Sequence, residues 1–484
     1  MPAMTSLLTA FYALCALLLA FYTSGQAVLL FRYWRTRRAA VETPPLDSLP
    51  EVTVQIPLYN EQSVATRLID AVARFDYPRG RLLIQVLDDS NDATVPTVAR
   101  RLARLEAQGY RVQHIRRARR SGYKAGALAH GLTRSKSEYI AIFDADFVPP
   151  PHFLRLTLPH LLANPAIGIV QSRWGHLNAD DNSLTRAQKL SIDTHFVVEQ
   201  TARNRSGWLI PFNGTGGLWR RSCMEAAGGW SDDTLTEDLD LSYRAQMAGW
   251  HSLFLNDVEV PGEIPPQLAA YKQQQARWAM GNTQCLIKLA RPIMQAKLTL
   301  PQKIMAIQHL CQYLPHPLML ILLLLTPPLL LAKTLADLPL APLGLVGLTP
   351  PLMYLASQMR LYDSWRGALR AFPALLFIGT GISLSNTLAV LAAVLGIKVG
   401  FRRTPKFARG WTGHPYALPG DVTILLELAL MAYALWGAWL AWHLQRELSP
   451  CLMIYALAFA TVAGWGLREH WTLRRLTAPA PLNP

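Results

Sequence analysis

The chain has 484 residues, which is too long for one ordinary domain and enough for two or three. Hydrophobic residues make up 51% and charged residues 16%, against about 25% charged in an average soluble domain, so a polar domain joined to membrane spans fits better than a purely soluble protein. The net charge of +15 fits Arg and Lys gathered at the cytoplasmic ends of spans, or attraction for a polyanion, and composition favours the first. Cys15, Cys223, Cys285, Cys311 and Cys451 are scattered without a CxxC pair, so neither a disulfide framework nor a zinc site is indicated.

In chain order, Leu7 to Tyr33 is almost wholly apolar and ends at Arg32, Arg35, Arg37 and Arg38. A signal peptide carries its charge before the apolar run, so this one reads as a signal anchor, N-terminus outside. From about Glu51 to Pro266 no stretch is long and apolar enough to span. Strand-like runs are expected at Val52–Tyr59, Leu82–Leu87, Arg111–Ile115, Tyr139–Phe143 and Ile167–Trp174, with helices such as Val95–Ala107 and Lys124–Thr133 between them. That alternation predicts an α/β fold, a mostly parallel sheet with helices on both faces and its ligand beyond the carboxyl ends of the strands. Apolar runs then cover Leu314–Leu331, Leu338–Ala356, Phe372–Leu395, Val422–Trp442 and Cys451–Leu467. Basic residues flank Phe372–Leu395 on both sides (Arg366 and Arg370; Arg402, Arg403 and Lys406), so a single crossing would break the positive-inside rule. It is assigned as interfacial or re-entrant, giving five crossings in all, with the C-terminus inside.

Asp144-Ala145-Asp146 directly follows the apolar run Tyr139–Phe143. Two carboxylates at a strand end can hold a hard divalent cation and leave coordination positions for phosphate oxygens, although an isolated acidic pair is more often a cap or a turn. Asp88-Asp89 ends the run Leu82–Leu87 and reads as a solvated turn or, converging on the same crevice, as like charges in need of a cation. Between them lies Arg116-Arg117-Ala118-Arg119-Arg120-Ser121-Gly122-Tyr123-Lys124. Its arginines read first as a solvated or membrane-facing patch, whereas Lys124 at a helix start is placed to meet a phosphate. The GxxxxGK spacing of a Walker loop is absent. Phe212-Asn213-Gly214-Thr215 permits close backbone approach to a ligand, and Thr236-Glu237-Asp238 offers Asp238 as a general base or simply an acidic first helical turn. Gln274 and Arg277, followed by Trp278, share a helical face just before the membrane region.

In order, Asp89, Asp144/Asp146, Thr236-Glu237-Asp238 and Gln274/Arg277/Trp278 match D, DxD, TED and QxxRW. The chain thereby resembles processive family 2 glycosyltransferases of the cellulose-synthase type over roughly Val52 to Gly281. Gln55-Ile56-Pro57-Leu58-Tyr59-Asn60-Glu61 and Gly122-Tyr123-Lys124-Ala125-Gly126 bring it nearest to plant mannan and glucomannan synthase-like enzymes and their bacterial relatives. The resemblance implies a GT-A-like sheet and a membrane-embedded, inverting, Mg²⁺- or Mn²⁺-dependent hexosyltransferase. Tyr59, Asn60, Glu61 and Asp89 would contact the nucleoside. Asp144 and Asp146 would hold the metal-diphosphate, and Lys124 a phosphate. Asp238 would be the base, and Gln274, Arg277 and Trp278, with Asn213, Gly214 and Thr215, would serve acceptor and diphosphate. Phe401, Thr404 and Lys406 resemble a gating loop, FxVTxK, with Arg403 in place of the valine.

The implied organisation is an anchor at 1–38, a cytoplasmic glycosyltransferase domain at 48–266, and interfacial helices carrying QxxRW at 267–300. A membrane region follows at 301–484, with about four spans, one interfacial helix and the FxxTxK-like loop. GDP-mannose and UDP-glucose both remain open as donors. The acceptor is a growing β-glycan or, alternatively, a lipid such as diacylglycerol. A transporter or nucleic-acid-binding membrane protein is the remote alternative, since it leaves the ordered acidic motifs unexplained. No nucleic-acid partner and no cyclic-di-GMP module within this chain are expected, and the setting is a bacterial inner membrane.

Overall fold

The computed structural model describes residues 2–38, 41–336, 338, 341–408 and 410–477. Seven strands form one sheet: β1 (Val52–Leu58), β2 (Leu82–Asp88), β3 (Arg111–Ile115), β4 (Tyr139–Ile142), β5 (Ile167–His176), β6 (Gly217–Arg220) and β7 (His251–Gly262). Their order is β3-β2-β1-β4-β6-β5-β7, with β6 antiparallel to both its neighbours. The five expected strands and the two expected helices, observed as Thr94–Ala107 and Tyr123–Leu132, lie within one or two residues of the sequence reading.

β1 is buried on both faces, as a central parallel strand must be. Val52, Val54 and Ile56 enter one core, while Thr53 and Gln55 face the other layer. Gln55, Gln85 and Gln113 stand in register, and their amides form a ladder of 2.8 and 2.9 Å hydrogen bonds across three strands. The ladder gives the Gln55 and Gln85 side-chain nitrogens partners in a closed layer, while Gln55 Oε1 is left without one. From β1 the chain proceeds outward to β2 and β3, then returns to the other side of β1 with β4. This reversal makes the carboxyl ends of β1 and β4 the switch point where a crevice opens.

Among the described residues, three helices are long and apolar enough to cross a membrane: Met4–Thr36, Ile424–Leu444 and Arg446–Leu476. Two bent pairs also qualify if each is one span: Leu300–Leu310 with Pro315–Leu331, at 63°, and Trp365–Gly381 with Ser383–Val394, at 42°. Leu7, Phe21, Leu425 and Trp439 are exposed on their outer faces, while Tyr12, Leu323, Ala441 and Phe459 form their common core. The run read as Leu338–Ala356 is divided into helices Ala341–Val346 and Thr349–Leu361, with residues 339 and 340 outside the described part. Pro350 and Pro351 lie in the first turn of the second helix, where proline's missing N–H costs nothing.

The two layers are joined by buried polar contacts. Helix Leu268–Gln295 starts beneath Glu469, whose carboxylate accepts the N–H groups of Leu268 (2.7 Å) and Ala269 (3.2 Å) and so caps that terminus. Lys272 bonds Glu427 at 2.5 Å and Thr423 at 2.7 Å, and also pairs with Asp421. Both ends of the bent 365–394 pair return to the α/β layer. Before it, Tyr362 and Gln358 bond Asp193 (3.0 and 3.1 Å) and Arg360 pairs with Asp257 (2.8 Å). After it, the Arg403 carbonyl accepts from Gln273 (2.7 Å).

Candidate active site

Two cavities meet above the carboxyl ends of the strands. One, of about 170 Å³, is lined by Tyr59, Glu61, Asp89, Lys124, Asp144 and Asp146, and also by Arg277 and the 401–406 segment. The other, of about 600 Å³, runs toward the membrane helices past His195, Tyr271, Tyr313 and Tyr354. Trp174, Asn213, Asp238, Gln274 and Trp278 line both. Asp238 therefore stands where the two spaces join.

Lys124 is fixed by a tight turn. Gly122 takes φ +65°, open to glycine at no steric cost, and starts the helix that carries Lys124. The Lys124 ammonium reaches Asp144 Oδ1 at 2.6 Å, the Gly214 carbonyl at 2.8 Å and Glu237 at 3.9 Å. Burial opposes its charge, yet the carboxylates of Asp144, Glu237 and Asp238 hold its pKa above the ordinary lysine value. Gly214, at φ +79°, lies so near Asp238 that a β-carbon there would sit 2.8 Å from Asp238 Oδ2. Thr215 Oγ1 accepts the Asp144 N–H at 2.9 Å, and Asn213 Oδ1 meets His195 Nε2 at 3.1 Å. The Asn213–Thr215 loop thus braces the lysine and the first carboxylate of the DxD pair.

Asp238 occupies the first turn of helix Glu237–Met247, its Oδ1 accepting the Leu239 N–H at 2.9 Å. Burial, with Glu237 beside it, pushes its pKa up to about 7, against the opposing pull of Lys124. A carboxylate so poised is a stronger proton acceptor than an exposed one.

Asp146 is buried, and Lys406 Nζ touches its Oδ2 at 2.5 Å. Burial pushes the Asp146 carboxyl above the usual carboxylate range, with Lys406 opposing the shift. Arg403 pairs with Glu61 at 2.8 Å, across 342 residues of sequence. Arg277 donates to Thr404 Oγ1 at 3.4 Å, and its guanidinium lies 4.9 Å from the Phe401 ring. Phe407 and Ala408 give their N–H groups to Glu263, which also pairs with Arg67 (3.1 Å). The 401–408 segment is thereby a roof over the smaller cavity.

Asp88 and Asp89 do not wait for a cation, contrary to the sequence reading. His114 bonds Asp88 at 2.9 Å, and Arg117 grips Asp89 through two nitrogens at 3.0 and 2.5 Å. The arginine run is correspondingly more than a solvated face. Asn60, at φ +55°, exchanges hydrogen bonds with Asn91 and links the β1 and β2 ends. The sequence offers no site role for Glu263, His195 or Glu199, and it offers Arg117 and Arg120 only as members of a basic run. His195 and Glu199, 3.2 Å apart, stand on a π-helical stretch from His195 to Gln200, a distortion with no local sequence mark.

Among the described residues no group of three or more His, Cys, Asp or Glu gathers to hold a metal. Asp144 and Asp146 nevertheless suit a hard cation that completes its shell with phosphate oxygens and water. Each already holds a lysine ammonium, so each carboxylate has been matched to a positive charge.

A family model described as glycosyltransferase-like family 2 matches residues 50–281. Two Arabidopsis thaliana proteins are similar to the chain: probable glucomannan 4-beta-mannosyltransferase 15 (42% identical, 51% of this chain, 47% of that protein) and glucomannan 4-beta-mannosyltransferase 2 (43%, 52% and 48%). Rice glucomannan 4-beta-mannosyltransferase 1 (Oryza sativa subsp. japonica) is 42% identical over 54% of this chain and 51% of its own. The chain spans about half the length of these curated relatives. Among solved structures, mannosyltransferase PcManGT from Pyrobaculum calidifontis, determined with GDP-Man and Mn²⁺, superposes with a TM-score of 0.58. It is 21% identical and covers 80% of this chain and 100% of its own, a likeness of fold. Residues 50–281 match the glycosyltransferase-like family 2 model, and over about half its length the chain is similar to the plant glucomannan mannosyltransferases.

Proposed function

We propose that the chain is a membrane-embedded inverting hexosyltransferase that moves a sugar from a nucleotide sugar onto a growing β-glycan. The observation that carries this reading is Asp238 at the junction of two cavities, beside Lys124 and the DxD pair on one side and open toward the membrane helices on the other. The names borne by relatives at 42–43% identity favour a mannosyl donor. Asp144 and Asp146 would hold a Mg²⁺ or Mn²⁺ ion, whose chemistry is to neutralise the departing diphosphate.

The chain's own residues supply the rest. Lys124 and Arg277 add positive charge where the leaving group develops its own. Asp238 takes the proton of the acceptor hydroxyl as that oxygen attacks the anomeric carbon opposite the diphosphate. One carbon–oxygen bond forms as another breaks, so the centre inverts and no glycosyl-enzyme is required. Trp278, reaching both cavities, offers a flat apolar face to an acceptor sugar.

Pockets that hold small ligands usually span about 300–1,000 Å³, larger than the roofed donor cavity. The 401–408 segment must therefore lift, parting Arg403 from Glu61 and Lys406 from Asp146, before a nucleotide sugar enters. To test the function, full-length protein in nanodiscs would be given labelled GDP-mannose and UDP-glucose with Mn²⁺. The expected product is label in polymer, mainly from GDP-mannose. Label confined to an organic extract would point to the glycolipid reading, and no transfer from any donor would refute both.

The membrane topology follows the same logic. We assign the α/β layer to the cytoplasmic side of a bacterial inner membrane and 365–394 to an interfacial or re-entrant segment, which leaves at most four crossings among the described helices rather than the five expected, because the 338–356 run is divided into two short helices. Support comes from the contacts of both its ends with the α/β layer, Tyr362 with Asp193 and Arg403 with Glu61. Its polar Ser383 and Asn386 are buried against protein, as polar groups at membrane depth require. Cysteines introduced at Arg370 and near Arg402 in a cysteine-free background should be labelled from the cytoplasmic side alone. Labelling of the two from opposite faces would overturn the assignment.

A further inference from the structure

The donor cavity holds one arginine that the proposed chemistry leaves without a task. Arg117 has taken Asp89 and Arg403 has taken Glu61, but Arg120 rests on aromatic rings instead. Its guanidinium carbon lies 3.4 Å from the Tyr59 ring centroid, 5.0 Å from that of Tyr123 and 5.7 Å from that of Phe401. Its Nε is buried without a hydrogen-bond partner. A half-buried cation over a tyrosine ring, with its Nε unpartnered and its side chain lining the cavity, has hydrogen-bond donors to give a ligand.

The sheet order fixes which part of the ligand it meets. Asp144 ends β4, Tyr59 follows β1, and Asp89 follows β2, and these strands are neighbours in the order β2-β1-β4. Adjacent strands are about 4.8 Å apart, so the β2 and β4 ends are separated by about 10 Å. With the diphosphate at the Asp144/Asp146 end, the nucleoside extends toward β1 and β2, where Arg120 stands on Tyr59. We propose that Arg120 reads the nucleobase of the donor and selects guanine.

The chemistry of the edges makes the choice. A guanidinium fork presents parallel N–H donors, and guanine answers with two adjacent acceptors, O6 and N7. Adenine sets an amino donor beside its N7, and uracil offers one carbonyl oxygen beside a carbon-bound hydrogen. Of these three bases only guanine satisfies both arms of the fork.

This inference rests on the reading of the cavity as the donor site, and binding measurements separate the two. Full-length protein in nanodiscs would be titrated calorimetrically with GDP, UDP, ADP and 7-deaza-GDP in the presence of Mn²⁺. Wild type should bind GDP about tenfold or more tightly than the other three, the scale of a good bidentate pair. In Arg120→Ala the GDP affinity should fall about ten- to a hundredfold, with UDP changed by less than about threefold and the preference over 7-deaza-GDP abolished. Arg120→Lys should retain part of the GDP affinity but not the full discrimination. Equal weakening of GDP and UDP would make Arg120 a phosphate or structural group and overturn the inference. So would a wild-type protein that binds GDP and 7-deaza-GDP alike, while the donor-site reading survived. Failure of every nucleotide to bind would overturn both.

Discussion

Asp238→Asn should lower turnover by about 10³-fold, within the range that general bases contribute, while nucleotide-sugar affinity changes little. The amide keeps the shape of the carboxylate and its place against Gly214 and Leu239 but cannot take up the acceptor proton. The wild-type pH profile provides a second readout. With the Asp238 pKa raised to about 7, the base is protonated, and therefore idle, below that pH. Turnover should fall with acidification from near neutrality, whereas a carboxylate at its ordinary value of about 3.9 would sustain the rate to about pH 5. Calorimetry and steady-state kinetics on the same preparation distinguish the outcomes. Loss of donor binding with normal turnover per bound donor would make Asp238 a binding residue.

Asp144→Asn and Asp146→Asn should each abolish measurable transfer, a loss on the order of 10³-fold or more, because stabilisation of the leaving charge is removed. Neither should unfold the protein. Asp144 lies at the cavity edge with its side chain 35% exposed, and Asp146 contacts Lys406 rather than the hydrophobic core. Freed of Asp146, Lys406 would lose a partner, so the roof over the donor cavity should loosen and limited proteolysis near residue 406 should accelerate. EDTA should reproduce the kinetic loss in wild type, with recovery on addition of Mg²⁺ or Mn²⁺. Full activity in thoroughly chelated protein would remove the cation from the account.

Much of this architecture was legible because local and global signals agree. The five strands found from sequence are short apolar or alternating runs bounded by turn residues, and their ends carry Asp89 and the Asp144/Asp146 pair. The two that escaped have physical reasons to do so. β6 has only four residues, and its antiparallel place between β4 and β5 is set by partners distant in sequence. β7 places exposed Asp257 and Glu259 among its buried residues, which breaks the apolar run that marks the other strands. The same limit applies to the site. The residue types of D, DxD, TED and QxxRW could be found in order, but the ion pairs Arg117–Asp89, Lys406–Asp146 and Arg403–Glu61 depend on chain segments that only folding brings together. Glu263 is the clearest case: it follows an unrecognised strand, yet it anchors both Arg67 and the 407–408 backbone.

A single displacement at the anomeric carbon, with Asp238 as base, leaves its record in the configuration of the product. Nuclear magnetic resonance of the glycan made from an α-linked nucleotide sugar labelled with ¹³C at its anomeric carbon, together with digestion by linkage-specific glycosidases, reads that configuration. β-Linked hexose is expected throughout. An α-linked product, or a glycosyl-enzyme trapped on any side chain, would contradict a single displacement.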